Sequence, residues 1–338
     1  MTYVSFPGLG IENIKLNPVI EFPFGLEIHW YGVLISIGMV LAVLYALWHA
    51  KFERVKSDDI IDLALYLIVF GILGARFYYV IMEFDAYIVS DGSFFHNLIH
   101  TLYNCIAIWK GGLAIYGGII AGVITGFVYA RIKRIRFPVI ADIAGPSVLI
   151  GQIIGRWGNF VNIEAFGGPT ALPWRMCSEK IANDFLRKGL VDEIGYEEVL
   201  NGVLGAHPTF LYESLWNLAG LTIITCMYKR KKFHGQMFIA YMMWYGLGRA
   251  LIESLRTDSL EIGDMRVSQF VGFATFVLGV ILMVMNLRRV KGKKEQSYTA
   301  VYAKAAQSGE EPSSKAEEDK EETTEETTEK ENEHGTTD

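Results

Sequence analysis

Long apolar runs broken by short basic connections dominate the chain. Seven of these runs approach the ~20 mainly apolar residues that a helix needs to cross a hydrocarbon core roughly 30 Å thick. They cover 30–50, 59–82, 111–131, 138–162, 208–228, 235–255 and 267–287. Two longer connections, 83–110 and 163–206, are mixed in polarity and suit short interfacial helices. No basic stretch precedes the first apolar run, so that run is expected to stay as a span rather than to be cleaved as a signal peptide. The pattern predicts an all-α polytopic membrane protein with seven transmembrane helices.

The connections predict its orientation. Lys51, Arg54 and Lys56 follow the first run, and Arg131, Lys133, Arg134 and Arg136 follow the third. Lys229, Arg230, Lys231 and Lys232 follow the fifth, and Arg288, Arg289, Lys291, Lys293 and Lys294 follow the seventh. If the spans alternate, all four clusters fall on one side, which the positive-inside rule makes the cytoplasm. The N-terminus is then expected outside and the C-terminus in the cytoplasm.

Charge changes this picture only at the C-terminal end. Between Gly309 and Asp338 there are thirteen acidic residues against three lysines, a net of −10. The whole chain carries −6, so residues 1–308 carry +4 and the acidic balance belongs to the tail. Residues 295–338 hold too few apolar groups to offset the entropy of ordering and are expected to form a disordered acidic tail. Cys105, Cys177 and Cys226 lack CxxC or metal-ligand spacing. With no P-loop, HExxH or His/Cys cluster, no metal, cofactor or nucleic-acid partner is expected.

The candidate chemistry lies in polar residues placed inside apolar runs. A charged side chain in a span costs ~3 kcal/mol on insertion scales, and Arg76, Arg156 and Arg249 each incur that cost. At 1.5 Å per residue, Arg76 lies ~25 Å from the inner end of the second run, Arg156 ~27 Å into the fourth and Arg249 ~21 Å into the sixth. All three therefore reach the outer half of the bilayer. In "WYGLGRALIESLR", Tyr245, Arg249, Glu253 and Arg256 fall at about 0°, 40°, 80° and 20°, one narrow helical face. Such a stripe faces protein or a watery cavity, as a structural Arg249–Glu253 pair or as part of a site.

In "GRWGNFVNIEAFGG" (155–168), Arg156, Asn159 and Asn162 fall at about 0°, 300° and 240°, whereas Glu164 falls at about 80°. Either the helix ends near Asn162 or Glu164 serves another neighbour. Gly167, Gly168 and Pro169 follow, so the stretch is expected to be a helix end running into a tight turn. His29, Tyr31, Tyr116, His207, Tyr212 and Glu213 reach the same outer layer. Gly118, Gly122 and Gly126, at small-residue spacing, are expected to serve helix packing. Arginines at headgroup depth suit a phosphate ligand through their bidentate forks, and the phosphate native to that depth is a phospholipid's. A membrane transporter or channel for an anionic solute is the alternative use of the same charges.

These motifs resemble those of the prolipoprotein diacylglyceryl transferase family over roughly residues 20–287. "GRWGNFVNIEAFG" fits its signature G-R-x-G-N-F-x-N-x-E-x-x-G, and "HWYG", "GARFYYV", "DIAGP", "HPTFLYE" and "YGLGRALIESLR" support the match. The resemblance implies a multi-pass enzyme of the bacterial cytoplasmic membrane, with residues 1–294 as its catalytic domain. Its partners would be phosphatidylglycerol, membrane lipid and prolipoprotein signal peptides bearing a lipobox cysteine. The diacylglyceryl group would pass to the cysteine thiol as a thioether, releasing glycerol phosphate. Carried over by motif, Arg156 and Arg249 hold the phosphate, while Asn159, Asn162 and Glu164 orient the headgroup or the arginine. Tyr31 and Tyr245 supply hydrogen bonds, Glu253 fixes Arg249, Arg76 supports the site or meets the lipid, and Gly167 belongs to the lipid site. Many members carry a histidine, read as the base, where "GGLAIYGG" places Tyr116. A phenol with pKa ~10 beside a thiol of ~8.5 makes Tyr116 a hydrogen-bond partner and leaves the base unassigned.

Overall fold

The computed structural model describes residues 2–21, 23, 27–88, 92–257, 261–262 and 265–292. The acidic tail lies outside the described residues, as do Lys293 and Lys294 of the last basic cluster. Among the described residues, ten α-helices carry the fold: α1 (Trp30–Ala50), α2 (Ser57–Met82), α3 (Phe94–Ile106), α4 (Ile115–Ile132), α5 (Phe137–Asn162), α6 (Glu179–Arg187), α7 (Glu193–Leu200), α8 (Thr209–Tyr228), α9 (Gln236–Ile252) and α10 (Val267–Gly292). Each of the seven predicted runs became a helix. By length and composition, α1, α2, α4, α5 and α10 are apolar enough to cross a membrane. The remaining two are the more polar and shorter ones: α8 buries Glu213, Ser214 and Asn217, and α9 has 17 residues and contains Arg249.

Helix α5 is the hub, packing against α1, α8 and α9, while α10 lies on α9 and α4 on α2. Helices α2 and α4 approach closely at Gly74 and Gly117, where a Cβ on Gly117 would collide with the Gly74 carbonyl and one on Gly74 with Ala121. The expected stripe of Gly118, Gly122 and Gly126 makes only ordinary contacts, so the pinch sits one residue before it.

Charge pairs gather the basic connections at one end of the bundle. Lys133 contacts Asp59 at the start of α2 at 2.7 Å, and Lys231 joins Glu53 to Asp142, the latter at 2.8 Å. Asp142, fully buried on the second turn of α5, caps another helix. Its carboxylate accepts N–H bonds from Gly235, Met237 and Phe238 at 2.6, 2.8 and 2.9 Å. The first amides of α9, which have no partner within their own helix, are thereby satisfied. This contact fixes the start of α9 along α5.

The opposite end carries a cap that the apolar pattern did not announce. Four two-stranded antiparallel sheets add to the helices among the described residues: β1 (Thr2–Phe6) with β2 (Ile11–Leu16), β3 (Val19–Glu21) with β4 (Glu27–His29), β5 (Pro169–Thr170) with β6 (Gly205–Ala206), and β7 (Glu261–Ile262) with β8 (Met265–Arg266). The 163–206 connection folds into α6 and α7, started by side-chain caps from Ser178 to the Lys180 N–H and from Asp192 to the Gly195 N–H. Ser5 of β1 exchanges backbone hydrogen bonds with Cys177, and Met176 does so with Ala206. Val4, Phe6, Ile163, Phe166, Ile181, Phe185 and Phe210 close a core between this cap and the ends of α5 and α8.

Candidate active site

Helix α5 stops at Asn162 because Ile163 turns into the left-handed region, with φ 48° and ψ 64°. Ala165 repeats the positive φ at 56°. Such a conformation is costly for a β-branched residue, and burial of the Ile163 side chain in the cap core offsets that cost. The turn folds Glu164 back over the helix end. Its Oε1 accepts hydrogen bonds from Nδ2 of Asn159 at 2.9 Å and Nδ2 of Asn162 at 3.4 Å. Helical angles alone sent Glu164 away from the asparagines; ending the helix two residues earlier brings the three together.

Arg156, nearly two turns before this end, pairs with Oε2 of Glu213 on α8 and lies 3.4 Å from Oδ1 of Asn159. Arg249, at the C-terminal end of α9, approaches the same Glu213 oxygen at 3.7 Å. Arg256 reaches the other oxygen at 3.4 Å. Nη2 of Arg249 also lies 2.8 Å from Glu253, a charge contact off the line of a hydrogen bond. Glu253 is 1% exposed and Glu213 5%. Three guanidiniums thus gather around two buried carboxylates.

The neighbouring aromatics frame this cluster. The Tyr31 ring lies against α5 where a Cβ on Gly158 would come within 2.6 Å of it. Tyr245 stacks on Tyr241, with ring centroids 5.9 Å apart. Trp157 donates from Nε1 to the Ser214 hydroxyl at 3.2 Å, and Phe160 stacks on Phe210 at 4.6 Å, joining α5 to α8. Burial lowers the pKa of His207, just before α8, which keeps its ring neutral near pH 7. Outside the turn, a cleft of about 390 Å³ runs between Glu164 and the α6 residues Lys180 and Arg187.

Arg76 and Gly167 are held by contacts within the protein. Arg76 is buried and donates to four backbone carbonyls: Cys105 (2.8 Å), Gly111 (2.6 Å), Gly112 (3.0 Å) and Asn104 (2.6 Å). Tyr87 lies over its guanidinium at 5.0 Å. The arginine anchors the 104–112 segment to α2, because backbone carbonyls already take four of its five N–H groups. Gly167 is a close-packing point, where a Cβ would stand 2.7 Å from both His207 and the Leu255 carbonyl. Tyr116 sits half exposed on the first turn of α4, with no hydrogen bond to the arginine cluster among the described residues.

Sequence reasoning missed the role of Glu213. The stretch "HPTFLYES" marked it as polar at the right depth, but angles around one helix cannot pair it with arginines on two others. Arg256 was visible in the α9 stripe without a partner to give it meaning.

Comparison with known proteins gives one consistent result. A family model described as prolipoprotein diacylglyceryl transferase matches residues 18–285. A protein of Finegoldia magna is 41% identical over 268 residues, covering 79% of this chain and 94% of its own. One from Clostridium botulinum (strain Loch Maree / Type A3) is 40% identical over 285 residues, covering 84% of this chain and 100% of its own. One from Lysinibacillus sphaericus is 38% identical over 286 residues, covering 84% and 97%. All three carry the name phosphatidylglycerol–prolipoprotein diacylglyceryl transferase.

Proposed function

The chain belongs to the prolipoprotein diacylglyceryl transferase family, and from that premise we infer how its side chains serve the reaction. It is a transferase that moves the diacylglyceryl group of phosphatidylglycerol to a prolipoprotein cysteine thiol. The thiolate sulfur attacks the glyceryl carbon that bears the phosphate ester. A C–S bond forms, the C–O bond breaks, and glycerol phosphate leaves with the electron pair. The phosphodiester starts with one negative charge and departs as a phosphomonoester with a second.

The meeting of Arg156, Arg249 and Arg256 on Glu213 is the observation that carries the site assignment. Guanidiniums gathered at one point suit the lipid phosphodiester, and their attraction grows as the second negative charge develops. Arg156 and Arg249 hold the phosphoryl oxygens through their forked donors. Asn159, Asn162 and Glu164 form a linked set that orients the headgroup, and Glu253 holds Arg249 in place. Tyr31 and Tyr245 flank the reacting region. Tyr116 has no hydrogen bond to the arginine cluster among the described residues, so the base is left unassigned, and the nearby guanidiniums favour ionisation of the thiol.

In this reading residues 1–294 form the catalytic domain of a bacterial plasma-membrane enzyme with seven spans. The capped end faces outward, and the basic connections and acidic tail face the cytoplasm. Lipobox signal peptides present their cysteine at the outer headgroup layer. Anion transport, the other use considered for the buried charges, has no support from the family match. The test is purified protein with phosphatidylglycerol and a lipobox peptide. The expected result is glycerol phosphate release and a peptide heavier by one diacylglyceryl group; an unmodified peptide with folded protein would refute the function.

A further inference from the structure

The polar column of α5 and α9 continues past the arginines toward the middle of the bundle. Gln152 precedes Arg156 by one turn, ~6 Å along the axis and about 40° around it. On α9, Tyr245 and Tyr241 precede Arg249 by one and two turns. The two helices meet at this level: Nε2 of Gln152 donates to the Tyr241 hydroxyl at 3.2 Å, and Tyr241 stacks on Tyr245 with its ring plane tilted by 16°. Oε1 of Gln152 is inaccessible to solvent and has no hydrogen-bond partner among the described residues. Turning the amide over exchanges the ends without curing the deficit, since one end still lacks a partner. An amide left half satisfied inside a helix bundle costs free energy and calls for an explanation.

We propose that Gln152 and Tyr241 form the subsite for an acyl ester group of the lipid donor, reading the carbonyl that lies just below the phosphate. This rests on the assignment of Arg156 and Arg249 to that phosphate. The headgroup zone is only roughly 6 Å deep in each leaflet, so a phosphate held at Arg156 brings the ester groups about one helical turn deeper. An ester carbonyl is an acceptor only. The Tyr241 hydroxyl, whose oxygen already accepts from Gln152, has its proton to donate, and a turned amide offers its N–H in the same way. A hydrocarbon chain satisfies neither group. The pair therefore selects glycerolipids by linkage, favouring ester-bound chains over ether-bound ones.

The test compares phosphatidylglycerol with ester-linked chains against the same headgroup with ether-linked chains, using a lipobox peptide as acceptor. The readout is the ratio of kcat/KM for the two lipids, which a general loss of folded protein leaves unchanged. Wild type is expected to prefer the diester by roughly fivefold, the worth of one hydrogen bond. Gln152→Leu and, independently, Tyr241→Phe are expected to bring the ratio close to one. A wild-type ratio near one, or variants that keep the wild-type preference, would overturn the subsite. Wild type inactive on both lipids would overturn the transferase reading and this subsite with it.

Discussion

Arg156 and Arg249 converge on the same carboxylate oxygen, Oε2 of Glu213, from helices on either side of it. Two like charges held this close need a counter-ion, and α8 supplies it from a position 5% exposed to solvent. The proposed phosphate clamp therefore draws on three helices, with Glu213 between its two halves.

Removing that carboxylate leaves buried guanidiniums facing one another. Glu213→Ala is expected to cost about 3–5 kcal/mol of stability. It should also lower transfer by ~100-fold or more, the scale of losing an electrostatic donor at a reacting anion. Thermal unfolding in detergent and a transfer assay on the surviving folded fraction check the two parts. Normal activity would remove Glu213 from the site.

Arg156→Ala and Arg249→Ala are expected to abolish turnover while the protein still folds. Arg156→Lys and Arg249→Lys should recover little, because an ammonium cannot reproduce the bidentate fork. Glycerol phosphate release measures both series, and near-normal rates in either alanine variant would refute the clamp.

Tyr116→Phe is expected to retain activity with an unchanged pH–rate profile, since its hydroxyl bonds to no member of the cluster. Loss of the alkaline or acidic limb in this variant alone would restore Tyr116 as a proton-transfer group.

Asp142→Ala should loosen α9 at its start, since three amides and Lys231 lose one shared carboxylate. A destabilisation of about 3–5 kcal/mol is expected for breaking this buried pairing. Protease susceptibility near residues 229–236 reports it; unaltered cleavage and melting would show that the cap contributes nothing.

Burial in the cap pushes the Cys177 thiol up to about 11. Its protonated state adds stability that is fully present below the unfolded value of ~8.5 and is lost as pH rises through 11. Folded protein at pH 8 should therefore alkylate very slowly at Cys177, while denatured protein reacts readily. Mass spectrometry of iodoacetamide-treated protein distinguishes the two cases.

The long apolar helices were legible because their signal is local: length and hydropathy define α1, α2, α4, α5 and α10 without reference to neighbours. The strands of the N-terminal hairpin carried no comparable signal, since β1 is five residues long and gains its meaning from pairing with Cys177. The same limit applied within the site. Arg156, Asn159 and the α9 stripe could be read from motif and periodicity, but the backbone carbonyls that hold Arg76 lie in a distant segment and leave no mark on its own run. Helical angles set Glu164 apart and pointed to a helix end near Asn162, but they could not name its partners, because the left-handed residue that redirects it is an isoleucine.

That isoleucine ties two environments together. Ile163 ends a helix long and apolar enough to cross a membrane, and its side chain is 2% exposed within the core of the cap. The aim of Glu164 is thus set by the packing of that cap. A cap exchanged for another sequence would have to accept a branched side chain at this one point, or the headgroup residues would lose their bearing even with every one of them intact.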